Sequence, residues 1–107
     1  MLKSGPIVLV DDDEEDQDIV KEALRDSQVY YPVLSFRNGL EVLEYLRTTS
    51  DHPFLILCDI NMPRMNGFEL REEILRDLFL ARKSIPFIYL STSGSRFEVE
   101  KAYELMV

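Results

Sequence analysis

The sequence is poor in cysteine and in positive charge, and it contains no long apolar run. Cys58 is the only cysteine, so no disulfide can form within the chain. The 12 basic residues are scattered among 20 acidic ones without forming a patch, which argues against nucleic-acid and anionic membrane partners. No apolar segment is long enough to span a bilayer, and the first residues lack the features of a secretory signal. We therefore expect a cytoplasmic protein.

The length and patterning of the chain predict a single domain. A chain of 107 residues can bury one hydrophobic core. No internal repeat, low-complexity tract or polar linker divides it. We therefore expect residues 1–107 to fold as one unit.

Short apolar runs alternate with amphipathic segments along the chain. The runs at residues 7–10, 33–36, 54–58 and 87–90 predict β-strands, since each is short and apolar. Apolar residues at helical spacing predict helices over residues 14–25, after Asn38-Gly39, from Phe68 to Phe79, and from about Arg96 onward. The predicted apolar stripes are Ile19, Val20, Ala23 and Leu24 in the first helix, Leu40, Leu43 and Leu46 in the second, and Phe68, Ile74, Leu75, Leu78 and Phe79 in the third. Strands that alternate with helices predict an α/β fold, with a parallel sheet covered by helices on both faces.

Polar residues follow three of the four predicted strands. In open parallel sheets, ligands bind beyond the carboxyl ends of the strands. The residues at those ends are Asp11, Asp12 and Asp13 after the first strand, Asp59 after the third, and Ser91, Thr92 and Ser93 after the fourth.

Three of these acids form a candidate site for metal-assisted phosphoryl transfer. If the first and third strands are neighbours, Asp11, Asp12 and Asp59 converge and raise one another's pKa unless a cation lies between them. Oxygen ligands of this kind suit Mg²⁺. A carboxylate can also act as the nucleophile in phosphoryl transfer and form an acyl phosphate, whose oxygens the Ser91 hydroxyl could bind.

Other readings of the same residues remain open. Asp13 is also a suitable N-cap for the first helix, and Asp11 and Asp12 alone could be ordinary surface acids. A dehalogenase-like phosphatase would need a general acid where this chain has Asn61, and three aspartates after the first strand would repel a nucleotide phosphate. The serine-rich stretch from Ser91 to Ser95 resembles a phosphate loop only superficially. We therefore expect neither a phosphatase nor a nucleotide-binding flavodoxin-like domain, and we do not expect an enzyme.

Three blocks of the sequence resemble bacterial two-component response-regulator receiver domains. The blocks are IVLVDDDEEDQDIVKEAL at residues 7–24, LILCDINMPRMNGFEL at 55–70 and IPFIYLSTS at 85–93. The family pattern D-x-x-M-P-x-M-x-G is complete in the second block, from Asp59 to Gly67. The resemblance covers essentially the whole chain. It is greatest to stand-alone, chemotaxis-regulator-like receivers.

The resemblance implies a fold and a role for individual residues. The fold would be flavodoxin-like, a doubly wound parallel sheet with strand order 2-1-3-4-5. Asp59 would be the phosphoacceptor. Asp11 and Asp12 would hold Mg²⁺ together with Asp59 and the backbone carbonyl of Asn61. Ser91 would sense the phosphoryl group, and Thr92 would take the small position next to it.

This sequence departs from the family pattern at the carboxyl end of the chain. Receivers have a fifth strand that ends in a lysine, and neither that strand nor the helix after it is found in these 107 residues. We expect an omitted or disordered tail, or a second copy that pairs with the fourth strand or with the helical face that follows it.

The implied partners are a sensor histidine kinase or phosphotransfer protein and an unknown downstream protein. The alternative is a receiver-like binding module that works without phosphorylation.

Overall fold

The computed structural model describes residues 5–90, which form one sheet of four strands and four helices that pack on its two faces. The strands are β1 (Ile7–Val10), β2 (Val33–Phe36), β3 (Leu55–Asp59) and β4 (Phe87–Leu90). The helices are α1 (Glu14–Asp26), α2 (Gly39–Thr48), α3 (Gly67–Arg76) and α4 (Leu78–Ala81). All strand pairs are parallel and the strand order is β2-β1-β3-β4. The predicted doubly wound parallel sheet is confirmed, with the expected order of its first four strands.

The sheet separates two hydrophobic cores, because alternate residues of each strand point to opposite faces. On one face, Ile7 and Leu9 pack with residues of α1 such as Val20 and Leu24. On the other, Val8, Val10, Ile56 and Cys58 pack with residues of α2, α3 and α4, including Val42, Leu46, Leu70 and Leu80. Both faces of β1 and β3 are fully buried. This explains why their sequences are continuously apolar instead of alternating.

The helices begin at polar residues that follow strands or loops. The Asp13 carboxylate accepts from the backbone N–H of Glu15 at 2.8 Å and caps α1, as predicted. Asn38 caps α2 in the same way, and Asn66 forms a reciprocal capping box with Glu69 at the start of α3. These caps fix the points at which the chain turns from the carboxyl edge of the sheet into a helix.

The prediction of one third helix from Phe68 to Phe79 is wrong, because the helix is interrupted at Asp77. Asp77 has extended backbone angles and ends α3. Its carboxylate then accepts from the backbone N–H groups of Phe79 and Leu80, which starts α4, while Arg47 pairs with it at 3.3 Å. Local hydrogen bonds of the aspartate thus replace a further helical turn.

Several residues of the predicted apolar stripes lie on the surface. Ile19 of α1 is exposed, while Gln17, two residues before it, is buried. The exposed members of the other stripes are Leu40, Phe68, Leu75, Leu78 and Phe79. Apolar spacing located the first two helices, but it did not show where the third one ends or how wide the buried face of each helix is. The helix predicted from about Arg96 onward lies outside the described residues.

The side chains of β4 are half-buried to buried. Phe87, Ile88 and Tyr89 are half-buried and Leu90 is buried. The Tyr89 ring lies 4.8 Å from that of Phe68 and 5.3 Å from that of Phe87, measured between centroids. Within residues 5–90, β3 is the strand that pairs with it.

No helix in the described part of the chain is long and apolar enough to cross a membrane.

Candidate functional site

The acidic site lies at the carboxyl edge of the sheet, where β1 and β3 end side by side. Val10 of β1 pairs with Cys58 of β3, so the next residue of each strand is an aspartate, Asp11 and Asp59. Both side chains are 3% exposed. The pairing of two central strands therefore brings together two acids that are 48 positions apart in the sequence.

Burial makes the charged form of both carboxyl groups unfavourable. The pKa of Asp11 is raised to about 7, mainly by loss of water and also by the nearby acids Asp59, Asp16 and Asp12, while a backbone hydrogen bond from Asp13 opposes the rise. Burial likewise raises the pKa of Asp59, while the backbone N–H of Asn61 lowers it and Asp12 and Asp16 raise it. Because the charged forms of these two buried carboxyl groups are unfavourable on their own, the site favours a ligand that brings positive charge.

Asp12 completes a cluster that can hold a metal ion. One carboxylate oxygen from each of Asp11, Asp12 and Asp59 lies within 4.8 Å of the others. Asp12 itself is exposed, so the cluster opens to solvent on its side. Within residues 5–90, the ion pairs involve Arg47 and Arg76, and none reaches these three acids.

The donor set fits a hard divalent cation. It consists of carboxylate oxygens, which suit Mg²⁺, Ca²⁺ and Mn²⁺, and it contains no imidazole or thiolate ligand. Cys58 lies beside the cluster, but burial raises the pKa of its thiol to about 12. Cys58 is therefore a packing residue of the core on this face of the sheet.

The loop after β3 folds back over Asp59. The backbone N–H of Asn61 donates to Asp59 Oδ1 at 3.4 Å, so Asn61 lies directly beside the carboxylate. Arg64 has a φ of 71°, in the left-handed region, and this turn directs the chain back toward the strand. The loop closes where the Gly67 N–H donates to the Ile60 carbonyl at 2.9 Å.

Gly67 permits the close approach of α3 to the end of β3. A Cβ atom at this position would lie 2.7 Å from the Asp59 carbonyl oxygen and 3.1 Å from the Ile60 Cα. Both are backbone atoms of the site, so the contact cannot be relieved by turning a side chain.

We predict that Gly67→Ala destabilises the protein by about 1–3 kcal/mol, as overpacking against backbone usually does. Urea unfolding measures this loss. Gly39→Ala is the matched control, because the added Cβ would meet the flexible end of the Met65 side chain instead. Equal losses in the two variants would contradict the role given to the Asp59 backbone contact.

Gln17 is a site-supporting residue that the sequence reasoning missed. Its side chain is buried, and Nε2 donates to the Asp11 carbonyl at 2.7 Å and to the Phe36 carbonyl at 3.3 Å. The Asp11 N–H also donates to the Phe36 carbonyl at 3.0 Å. One amide thus ties α1 to the ends of both β1 and β2, and holds the backbone that carries Asp11. A polar residue inside a predicted buried helix face is the signal that could have revealed it.

We predict that Gln17→Met lowers the free energy of unfolding by about 1–3 kcal/mol, because the Asp11 carbonyl then loses a buried partner. Methionine keeps the length of the side chain but has no donor. Urea unfolding tests this, with Gln28→Met as a control at an exposed turn position. An unchanged stability in Gln17→Met would show that these hydrogen bonds contribute nothing net.

The predicted site residues are brought together as far as the structure describes them. Asp11, Asp12 and Asp59 converge, and Asn61 adjoins them. Asp13 caps the first helix and does not join the cluster. Ser91 and Thr92 lie outside the described residues, so their predicted roles remain predictions.

A parallel sheet of this order, with buried acids at the ends of its two central strands, defines the receiver class of signalling domain. The comparison with known families agrees, since residues 7–107 match the model of the response regulator receiver domain. The chain belongs to this family, and hence to the proteins of two-component signalling.

Individual relatives are similar over most of the chain. Response regulator Rcp1 of Synechocystis sp. is 34% identical over 106 residues, covering 94% of this chain and 71% of Rcp1. Chemotaxis protein CheY1 of Helicobacter pylori is 36% identical over 94 residues, covering 87% of this chain and 72% of CheY1.

Two solved structures bear on the site. The phosphorylated cyanobacterial phytochrome response regulator RcpA has a TM-score of 0.70 and 36% identity, over 98% of this chain and 77% of RcpA. The Mn²⁺-bound form of Rcp1 has a TM-score of 0.68 and 34% identity, over 96% of this chain and 76% of Rcp1. One similar structure thus carries a phosphoryl group and the other a divalent metal.

Proposed function

We propose that this protein is the phosphoacceptor in a two-component relay, taking a phosphoryl group onto Asp59 with Mg²⁺ bound beside it. The observation that carries the proposal is the convergence of three carboxylates at the carboxyl edge of the sheet. Two of these acids are buried without a cation partner in the described part of the chain, which favours a metal ion over an empty site. The phosphorylated RcpA and the Mn²⁺-bound Rcp1 support the same assignment by similarity.

Four residues of the acidic site would hold the metal ion. Asp11, Asp12 and Asp59 would supply carboxylate oxygens to the metal, and Asn61 its backbone carbonyl. When bound, the metal ion would offset the negative charge of the acids and of the incoming phosphoryl group. The proposal thus explains why the chain tolerates three acids in so small a space.

Transfer would be a direct displacement at phosphorus. A carboxylate oxygen of Asp59 attacks, a new O–P bond forms, and the bond from phosphorus to the donor breaks. With a phosphohistidine donor, the electron pair of the P–N bond leaves with the imidazole. Asp59 reacts as the carboxylate, so no proton has to be removed from it.

The end of β4 would receive the signal. The Leu90 carbonyl accepts from the Ile60 N–H at 3.2 Å, so the last described residue of β4 lies beside the residue that follows Asp59. Ser91 comes next in the sequence, and we assign its hydroxyl to a phosphoryl oxygen, with Thr92 as the small neighbouring residue.

The partners follow from the family. Receiver domains accept phosphoryl groups from histidine kinases or phosphotransfer proteins, and we propose that a cytoplasmic partner of this kind is the donor here. We further propose a single receiver domain over residues 1–107 that signals by protein contact. A homodimer through β4 or the following segment remains a prediction.

The proposal is tested by incubating the protein with acetyl phosphate, with Mg²⁺ or with a chelator, and measuring intact mass. We expect an adduct with the mass of one phosphoryl group that forms only with the metal. An unmodified protein under both conditions would contradict the proposal and favour a binding module that works without phosphorylation.

A further inference from the structure

A second surface feature lies at the opposite end of the sheet from the acidic site. α1 and the segment leading into β2 line an open cavity of about 350 Å³. Its apolar lining is contributed by Leu24 of α1 and by Val29 and Val33. We call this cavity the α1–β2 groove. Val33 begins β2 and Phe36 ends it beside Asp11, so the groove lies about 10 Å from the acidic edge, at 3.3 Å per residue.

The groove carries positive charge on a strongly acidic protein. Lys21 and Arg25 line it, and they are one helical turn apart on the same face of α1. Neither is in an ion pair among residues 5–90, whereas Arg47 and Arg76 are. In a chain with a formal charge of -8, two cations at one apolar cavity, neither in an ion pair within the described part of the chain, form a local site for negative charge.

Two tyrosines give the groove the character of a protein interface. Tyr30 is 75% exposed, although its ring is large and mostly apolar. Tyr31 is held by stacking on Phe54, with 4.4 Å between ring centroids. Exposed tyrosine and arginine beside an apolar cavity are the residues that contribute most to binding energy at protein interfaces.

The neighbouring strand offers backbone groups to an extended chain. β2 is at the edge of the sheet, and β1 is its strand partner in the described part of the protein. Among residues 5–90 no strand pairs with its other edge, whose backbone groups could hydrogen-bond to an added segment. A peptide can use both the edge and the cavity, whereas a small ligand would use the cavity alone.

We propose that the α1–β2 groove docks an acidic segment of a partner protein. An aromatic or aliphatic side chain of that segment fills the cavity over Leu24 and Val33, and flanking aspartate or glutamate residues pair with Lys21 and Arg25. The negative charge elsewhere on the surface repels such a segment and so directs it to the groove. This docking does not depend on the phosphoacceptor role of Asp59.

The test selects random displayed peptides on the immobilised protein. Peptides that also bind the double variant Lys21→Glu/Arg25→Glu are removed, and affinities of the remainder are measured by fluorescence anisotropy. We expect acidic peptides with an aromatic or aliphatic residue, weakened about ten-fold or more by the double variant and by added salt. Tyr30→Ala should weaken them as well.

The matched control is Arg82→Glu/Lys83→Glu, which makes the same change of charge at residues outside the groove. This double variant should bind the selected peptides like the wild type, as should Asp59→Asn. The proposal is overturned if no peptide depends on Lys21 and Arg25, if the dependent peptides are neutral or basic, or if the control variant weakens them equally.

Discussion

Asp59→Asn is expected to abolish uptake of the phosphoryl group from acetyl phosphate while the protein remains folded. The amide has nearly the size of the carboxylate but is not a nucleophile of comparable strength, so no acyl phosphate can form. Intact mass after incubation with Mg²⁺ measures the uptake. Because Asp59 is buried among other acids, the substitution also removes an unfavourable charge, and unfolding in urea should show no loss of stability.

Asp51→Asn is the matched control for this variant. Asp51 is exposed and precedes β3, whereas Asp59 ends it, so the two acids lie at opposite ends of one strand. Asp51→Asn should take up the phosphoryl group like the wild type. Undiminished uptake by Asp59→Asn would refute the assignment of the phosphoacceptor.

Asp11→Asn is expected to stabilise the metal-free protein and to weaken its binding of Mg²⁺. The pKa of Asp11 is raised from 3.8 to about 7 in the folded protein, mainly by burial. The folded state therefore binds the Asp11 proton more tightly than the unfolded state. The stability that depends on this proton is fully present below about pH 4 and is lost as pH rises toward 7.

The asparagine variant has no such charge to bury. At about pH 7.5 it should be more stable than the wild type by about 2–4 kcal/mol, and at about pH 4 the difference should largely disappear. The hydrogen bond from the Asp13 N–H to Oδ1, 3.0 Å long, can be kept by the amide oxygen. Urea unfolding in the presence of a chelator at the two pH values measures both effects. A gain that does not change with pH would contradict this explanation.

The affinity for Mg²⁺ tests the role of Asp11 as a metal ligand separately from its effect on stability. Titration calorimetry with Mg²⁺ should show affinity at least about ten-fold weaker for Asp11→Asn, because a charged ligand is lost. Asp12→Asn should also bind Mg²⁺ more weakly, but its exposed side chain gives no comparable gain in stability. The acidic site would then be an example of stability given up for function.

The parallel arrangement and the members of the site could be predicted from the sequence for a simple physical reason. β1 and β3 are buried on both faces, so their sequences are continuously apolar and end abruptly at Asp11 and Asp59. Parallel strands place their carboxyl ends at one edge, and the acids therefore had to meet if the strands were neighbours. Nothing in either segment by itself specified that adjacency, which came from the order of elements and the resemblance to receivers.

The errors arose where local hydrogen bonding opposed the apolar pattern. Leu75, Leu78 and Phe79 fit a continuing helix, but the Asp77 carboxylate ended α3 and began α4. Gln17 received no role from the sequence pattern, although its amide is buried against the Asp11 and Phe36 carbonyls. Both outcomes depend on which carbonyl or N–H lies within reach in the folded chain, and residue spacing does not contain that information.

The central claim is that Asp59 carries the phosphoryl group, and chemical mapping of the modified residue tests it most directly. Borohydride reduces an aspartyl phosphate to homoserine, which peptide mass spectrometry can locate after treatment of the wild type with acetyl phosphate and Mg²⁺. We expect homoserine at residue 59 and at no other aspartate. Homoserine at Asp11 or Asp12, or none at all in a protein that has gained the phosphoryl mass, would contradict the account.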